Sequence, residues 1–171
     1  MLFISLTANL LADYSNKVDI MDRIDNNLVR QLQKDGRLTN QELSERVSLS
    51  PSPCLRRVRK LEESGVITGY TAIVDHQKCG FLIKVFVSVR LEKHTEDMVA
   101  DFEAGIQALD EVLACYLISG SRDYLLQVVA KDLDDYQHFL RKKLRQVPGI
   151  GQLESNFVMD KIKKTALLPN R

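Results

Sequence analysis

Leu38-Thr39-Asn40-Gln41-Glu42-Leu43-Ser44-Glu45-Arg46-Val47-Ser48-Leu49-Ser50-Pro51-Ser52-Pro53-Cys54-Leu55-Arg56-Arg57-Val58-Arg59-Lys60-Leu61 holds two helix starts, a short turn and a basic helix face. Thr39 and Glu42 have the spacing of a capping box, in which each side chain accepts from the other residue's backbone N–H. Leu43 and Val47, four apart, give the helix that follows a buried stripe. Ser48-Leu49-Ser50 interrupts the period and leaves Leu49 as an apolar plug between two helices. Ser50 reads as an N-cap and Pro51 as N1, where a missing N–H costs nothing. Two helices joined by so short a turn form a helix-turn-helix, whose second helix lies in a DNA major groove.

Projected at 100° per residue, the second helix separates its chemistry. Cys54, Leu55, Val58 and Leu61 gather on one side and are expected to pack. Ser52, Pro53, Arg56, Arg59 and Lys60 occupy the other, with Arg57 on the flank. No acid lies between Ser50 and Lys60, so the face concentrates positive charge on a chain whose formal net charge is only +1. Such a balance excludes a nonspecific polycation; contact with nucleic acid must be local and oriented. The expected DNA contacts are Asn40, Ser50, Ser52, Pro53, Arg56, Arg57, Arg59 and Lys60, and Cys54 is expected to act as a small buried hydrophobe.

With 171 residues the chain has room for two small domains. Cys54, Cys79 and Cys115 are odd in number and scattered, which excludes a secreted disulfide framework and fits a reducing cytoplasm. His76-x-x-Cys79 has no second ligand pair, and no metal site is expected. Met1 to Val18 carries Phe3, Ile4, Leu6, Leu10 and Leu11, with no positive segment before them and too few residues to span a bilayer. Residues 1–20 are therefore read as an N-terminal arm, or as upstream sequence ahead of a start at Met21.

Ile24, Leu28 and Leu32 recur every four residues and mark a helix from about Asp22 to Gly36. The proline-started helix ends at Gly65, a suitable residue beyond a helix C-cap. Val66 to Val74 reads as extended chain with a bend at Gly69, the wing of a winged helix-turn-helix. Asp75 to Gly80 is polar and marks a domain boundary. The bounds expected are 21–66 for the reading head, 67–80 for wing and linker, and 81–171 for a second domain. There, Phe81–Leu91 alternates as a strand, and Thr95 opens a helix with Val99, Phe102, Ile106 and Leu109 on one face. Val112–Ser119 and Tyr124–Ala130 form a hairpin across Gly120-Ser121-Arg122-Asp123. Asp132 caps a helix bearing Tyr136, Phe139, Leu140, Leu144 and Val147, and Gln152–Ile162 is the last strand. The order βαββαβ is ferredoxin-like, with helices on one sheet face. The bare face predicts a dimer through the sheet. The fold class is thus α+β, a winged helix-turn-helix followed by a ferredoxin-like domain.

From Met21 to its end the chain resembles the Lrp/AsnC family of leucine-responsive, or feast/famine, transcriptional regulators. The matching motifs are Asp22-Arg23-Ile24-Asp25, Leu32-Gln33-Lys34-Asp35-Gly36-Arg37, Leu49-Ser50-Pro51-Ser52-Pro53-Cys54, Gly65-Val66-Ile67-Thr68-Gly69-Tyr70 and the glycine-x-x-aspartate hairpin Gly120-Ser121-Arg122-Asp123-Tyr124-Leu125. The resemblance implies that the ferredoxin-like domain is a ligand-binding (RAM) domain, and it implies regulation of amino-acid metabolism genes, dimers that assemble into octamers or similar discs, and an amino-acid effector bound between dimers. By motif, the effector positions fall on Leu117, Gly120, Asp123, Tyr124 and Leu133, and on Asn156, Phe157 and Val158. Backbone N–H groups of the hairpin would receive the effector carboxylate, Asp123 its ammonium, and the apolar residues its side chain. Ser121 and Arg122 stand where the family most often has an acidic or small residue and an aromatic, and an arginine there can itself pair with a carboxylate.

The expected partners are double-stranded DNA, further copies of the chain and a small amino acid. No membrane, cofactor or catalysis is expected; the chain offers no nucleophile–base pair and no glycine-rich phosphate loop. Its expected location is the cytoplasm, at the nucleoid. The competing expectation is an architectural protein that organises DNA with weak sequence preference.

Overall fold

Asp22 opens the first helix, α1 (Arg23–Lys34), its carboxylate accepting from the Asp25 N–H at 2.8 Å. Asp25 in the first turn and Lys34 in the last complement the helix dipole. The computed structural model describes residues 21–163, 165 and 167–169; the expected arm, 1–20, lies outside them. The described residues form two compact units, one reaching to Ala72 and including the tail from Thr165, the other starting at Ile73.

In the first unit α2 (Asn40–Arg46) starts on the expected capping box: Glu42 N–H donates to the Thr39 hydroxyl, and Thr39 N–H to the Glu42 carboxylate at 2.8 Å. Those two donors from Thr39, backbone first and hydroxyl second, hold the Glu42 carboxyl below the ordinary range. The helix then stops in a Schellman arrangement: Ser48 N–H reaches Glu45 O at 3.3 Å, and Leu49 N–H reaches Ser44 O at 2.9 Å. Ser48 takes the left-handed position there, at φ 57°. This turn redirects the chain into α3 (Pro51–Glu63). Leu28, Leu43, Val47, Cys54 and Leu61 interlock as the core, with Leu49 and Ile67 packed against it. Cys54 is fully buried, and burial pushes its thiol pKa up, consistent with a packing role. Gly65, at φ 74°, leads the chain off the end of α3.

The second unit comprises β1 (Ile83–Leu91), α4 (Glu96–Gln107), β2 (Val112–Leu117), β3 (Tyr124–Ala130), α5 (Leu133–Lys142), a short 3-10 turn (Leu144–Gln146) and β4 (Ile150–Phe157). All pairings are antiparallel, in the order β2-β3-β1-β4. This is the expected ferredoxin-like βαββαβ arrangement. Val85, Val87, Val89 and Leu91 of β1, with Leu126 and Val128 of β3, are buried under Phe102, Ile106, Tyr136 and Phe139 of the two helices. Asp132 caps α5 through the Asp135 N–H. The opposite sheet face carries Phe86, Ser88, Leu125 and Gln127, with Tyr116 half exposed beside Leu125.

Several boundaries differ from those read in the sequence, for reasons of pairing. Val66 to Val74 forms no strand, having no ladder partner among the described residues. β1 starts at Ile83, because Phe81 N–H is used by His76 O to close the preceding turn. β4 runs earlier than expected: its ladder ends at Phe157 opposite Val85, and past Val158, whose N–H reaches Lys84 O, only Ile83 of β1 is left. Leu144 lies in the 3-10 turn and Val147 just after it, rather than in α5.

Candidate DNA-reading helix and ligand loop

Cys54 and Leu61 turn α3 inward, and Ser52, Arg56, Arg59 and Lys60 stand exposed on its far side, with Pro53 half-buried. Leu55, expected to pack, is instead 39% exposed. It lies roughly 60° beyond Val58 around the helix, past the edge of the apolar stripe. Ser50 holds the N-cap position in extended conformation but makes no side-chain cap. An N-cap oxygen normally accepts from the N–H of N2 or N3. Pro53 at N3 has none, which leaves only the Ser52 N–H at N2, and the Ser50 side chain makes no cap bond to it. The weakening was available in the sequence, since proline at N3 removes one of the two donors.

Two of the expected contacts are tied into the head itself. Asn40 Nδ2 donates to Pro51 O at 2.9 Å, pinning the N-terminus of α2 to that of α3. Arg57 Nη1 lies 2.7 Å from Asp22 Oδ2 and 2.8 Å from Asp25 Oδ1, a strut from α3 to the first turn of α1. The Asp22 carboxyl is held below its ordinary range, first by the Asp25 N–H and then by Arg57. The same pair of carboxylates, Asp25 first, raises the Arg57 pKa further. Asp22 and Asp25 were not recognised from sequence as partners of this helix, because 35 and 32 residues separate them from Arg57 and no local spacing betrays the pair.

The second constellation lies on the β2–β3 loop. Ile118 N–H donates to Asp123 O at 2.9 Å and closes it, and Gly120 sits at φ 129°, which only glycine adopts without strain. Asp123 ties the loop to β1: its N–H reaches Val89 O, and its Oδ2 accepts from Leu91 N–H at 2.8 Å. Oδ1 meets His94 Nε2 at 2.9 Å, a neighbour that sequence reasoning missed. An ionised carboxylate offers about four lone-pair sites, so Asp123 retains acceptor capacity. Arg122 is turned onto β4, with Nη1 to Gln152 Oε1 and Nη2 to Glu154 Oε2, both at 2.9 Å. Tyr124 is buried against Phe102, and its hydroxyl donates to Glu103 Oε1 at 2.8 Å. Burial, and then Glu103, push that phenol pKa upward. Leu117, paired with Tyr124, is half exposed.

The remaining expected ligand residues are elsewhere. Phe157 pairs with Val85, whereas Tyr124 pairs with Val89, four residues along the same strand. At about 3.4 Å per residue that is roughly 14 Å. Leu133 follows the β3 end that pairs with Ile83, and Val158 N–H reaches Lys84 O at 2.9 Å. Leu117, Gly120, Asp123 and Tyr124 thus cluster at one end of the sheet, and Leu133, Asn156, Phe157 and Val158 at the other. Phe157 is 43% exposed with its ring 5.3 Å from Tyr136. One chain does not bring the two clusters together.

Among the described residues no group of three or more His, Cys, Asp or Glu is placed to hold a metal ion. No helix among them is long and apolar enough to cross a membrane. His76 Nδ1 is engaged by Phe81 O at 2.7 Å.

Comparison with known proteins follows this division. Residues 21–68 match the winged helix-turn-helix DNA-binding family model, and residues 84–168 that of the Lrp/AsnC ligand binding domain. The chain is 42% identical over 145 residues to the leucine-responsive regulatory protein of Salmonella typhimurium, covering 85% of this chain and 88% of that one. It is similar to the crystal structure of a transcriptional regulator from Neisseria meningitidis in complex with L-Met, at a TM-score of 0.83 and 40% identity, over 87% of this chain and 96% of that one. An AsnC family transcriptional regulator from Agrobacterium tumefaciens gives a TM-score of 0.82 and 38% identity, over 87% and 97%.

Proposed function

The chain belongs to the Lrp/AsnC family of transcriptional regulators, with a DNA-binding head and a ligand-binding domain, and from that premise we propose how it reads DNA and what instructs it. Arg56, Arg59 and Lys60 contact phosphates and base edges, with Ser50, Ser52 and Pro53 near the groove. Asn40 and Arg57 hold α3 at its angle. The observation that carries this is the exposed basic face of α3, set against a fully packed opposite side. A bidentate arginine–guanine contact discriminates by about 1–3 kcal/mol, so several such contacts spread over two heads reach the roughly 4–10 kcal/mol of specific binding. The architectural alternative lacks such a carrier, since the relatives are named as regulators.

The effector is a small amino acid, by analogy with the relative crystallised with L-Met and the one named leucine-responsive. The separation of the two residue clusters supports a composite site between copies, the β2–β3 loop of one chain facing the β4 end of another. The bare sheet face, with Phe86, Leu125 and Tyr116, supports a dimer, and dimers assemble further, into an octamer or a similar disc. Regulated genes would serve amino-acid metabolism, with the protein working in the cytoplasm at the nucleoid and turning over no substrate. The domain bounds we propose are those of the sequence, 21–66, 67–80 and 81–171, with 1–20 as an arm.

The test is duplex binding across salt concentrations. Arg56→Ala and Arg59→Ala should each weaken binding; a variant losing a phosphate contact also loses roughly one unit of salt slope. Unchanged affinity and slope in both variants would remove α3 from the groove.

A further inference from the structure

The linker between the two units is not uniformly loose. Ile67 packs into the head's core, and its N–H bonds to Leu61 O at 3.0 Å. Three residues on, the Tyr70 hydroxyl donates to Glu62 Oε1 on α3 at 2.9 Å. Its ring lies against Gly36 at the end of α1: a methyl added there would sit 3.6 Å from Tyr70 Cδ1, an ordinary contact distance. Burial, with Glu62 second, pushes the phenol up to about 12. Tyr70 therefore bridges α3 and the turn that follows α1. The next ordered piece is the turn from Asp75, whose Oδ1 accepts from Gln77 N–H at 3.0 Å and whose carbonyl accepts from Cys79 N–H at 3.1 Å. Thr71 to Val74 lies between, exposed, with Ile73 at 73%.

We infer that Tyr70 is a specificity-determining residue, a latch that shortens the hinge to Thr71–Val74 and so fixes which spacing of two DNA half-sites a pair of heads can occupy. The inference rests on the dimeric reading above. Four hinge residues reach at most about 14 Å, whereas release of Tyr70 back to the Ile67 anchor frees seven, or about 25 Å. The volume a head can sweep then grows about sixfold, and its effective concentration at a correctly placed second half-site falls accordingly. A head on a short hinge must meet a half-site on the same face of the duplex; one on a long hinge tolerates a shift in phase.

The experiment uses the full chain and a duplex carrying two copies of the half-site that the protein itself enriches from a random library, with centres one turn or one and a half turns apart. Wild type should lose about tenfold in affinity on the half-turn shift, and Tyr70→Ala only about twofold. Tyr70→Phe, which keeps the ring on Gly36 and loses the bond to Glu62, should fall between. Glu62→Gln keeps an acceptor for the Tyr70 hydroxyl and should retain the wild-type profile. A sharp profile retained in both Tyr70 variants overturns the latch and leaves the dimer standing. An equal loss at every spacing assigns Tyr70 a merely structural role and also overturns it. A flat profile in wild type overturns the dimeric reading, and the latch with it.

Discussion

Ser48→Gly should stabilise the DNA-binding head. Ser48 occupies the left-handed position of the turn between α2 and α3, at φ 57°, where a Cβ crowds the carbonyl oxygen. For an L residue this costs roughly 1–2 kcal/mol. Glycine removes that cost but gains about 0.5–1 kcal/mol of conformational freedom in the unfolded chain. The difference favours the folded glycine variant by about 0.5–1 kcal/mol, or about 2–8 °C in Tm for a unit this small. Neither turn hydrogen bond, Ser48 N–H to Glu45 O nor Leu49 N–H to Ser44 O, uses the serine side chain. The helix crossing and DNA affinity should therefore be unchanged. Ser48→Val adds a β-branched side chain at the same φ and should destabilise by at least about 1 kcal/mol. Calorimetry of the full chain reads both variants, the head's transition being the one that a bound duplex raises. If Ser48→Gly melted at or below wild type while Ser48→Val melted alongside it, the turn would not be strained and the reasoning would fail.

In the second unit, Gly105→Ala on α4 would bring its methyl to 2.8 Å from Val147 Cγ1, and should cost about 1–3 kcal/mol by denaturant titration; an unshifted midpoint would mean the contact yields freely. The head should lose stability on acidification. Asp22 and Glu42 both have folded pKa values below their ordinary ones, so their contribution is complete above the ordinary carboxylate range and disappears as pH falls through the lowered values. Asp22→Asn should flatten that acid limb, and a melt series at descending pH checks it. Gly120→Ala forces a methyl onto φ 129°, with no atom within 4 Å to clash, so the fold should survive while L-leucine or L-methionine binding, measured by calorimetry, weakens. Asp123→Asn should weaken the same binding by at least about tenfold, the scale of a lost charged hydrogen bond; wild-type affinity in both variants would move the effector away from this loop.

What the sequence made legible was local. A capping box and a proline at N1 are instructions spanning three or four residues, and the helices begin where those instructions stand. The ladder order was legible too, since alternation in four strands and two amphipathic helices admits few right-handed arrangements. Long-range pairings were not. Arg57 reads as one more cation on a basic helix until folding delivers Asp22 and Asp25 to it. His94 reads as a lone histidine until the hairpin delivers Asp123.

The ligand residues illustrate a subtler limit. Leu117 to Tyr124 and Asn156 to Val158 belong to one functional set by motif, yet motifs carry no register. Antiparallel pairing on a shared β1 converts them into two addresses: Val89 for Tyr124 and Val85 for Phe157. A separation of roughly 14 Å within a rigid sheet cannot be closed by side-chain movement. A small amino acid that touches both clusters must therefore lie where two copies meet. On the proposed composite site, binding it would change how copies associate, and assembly would decide which reading heads stand side by side. On this geometry, control by ligand and control by oligomerisation are one equilibrium, and a variant that abolishes assembly without touching either cluster should abolish the response to amino acid as well.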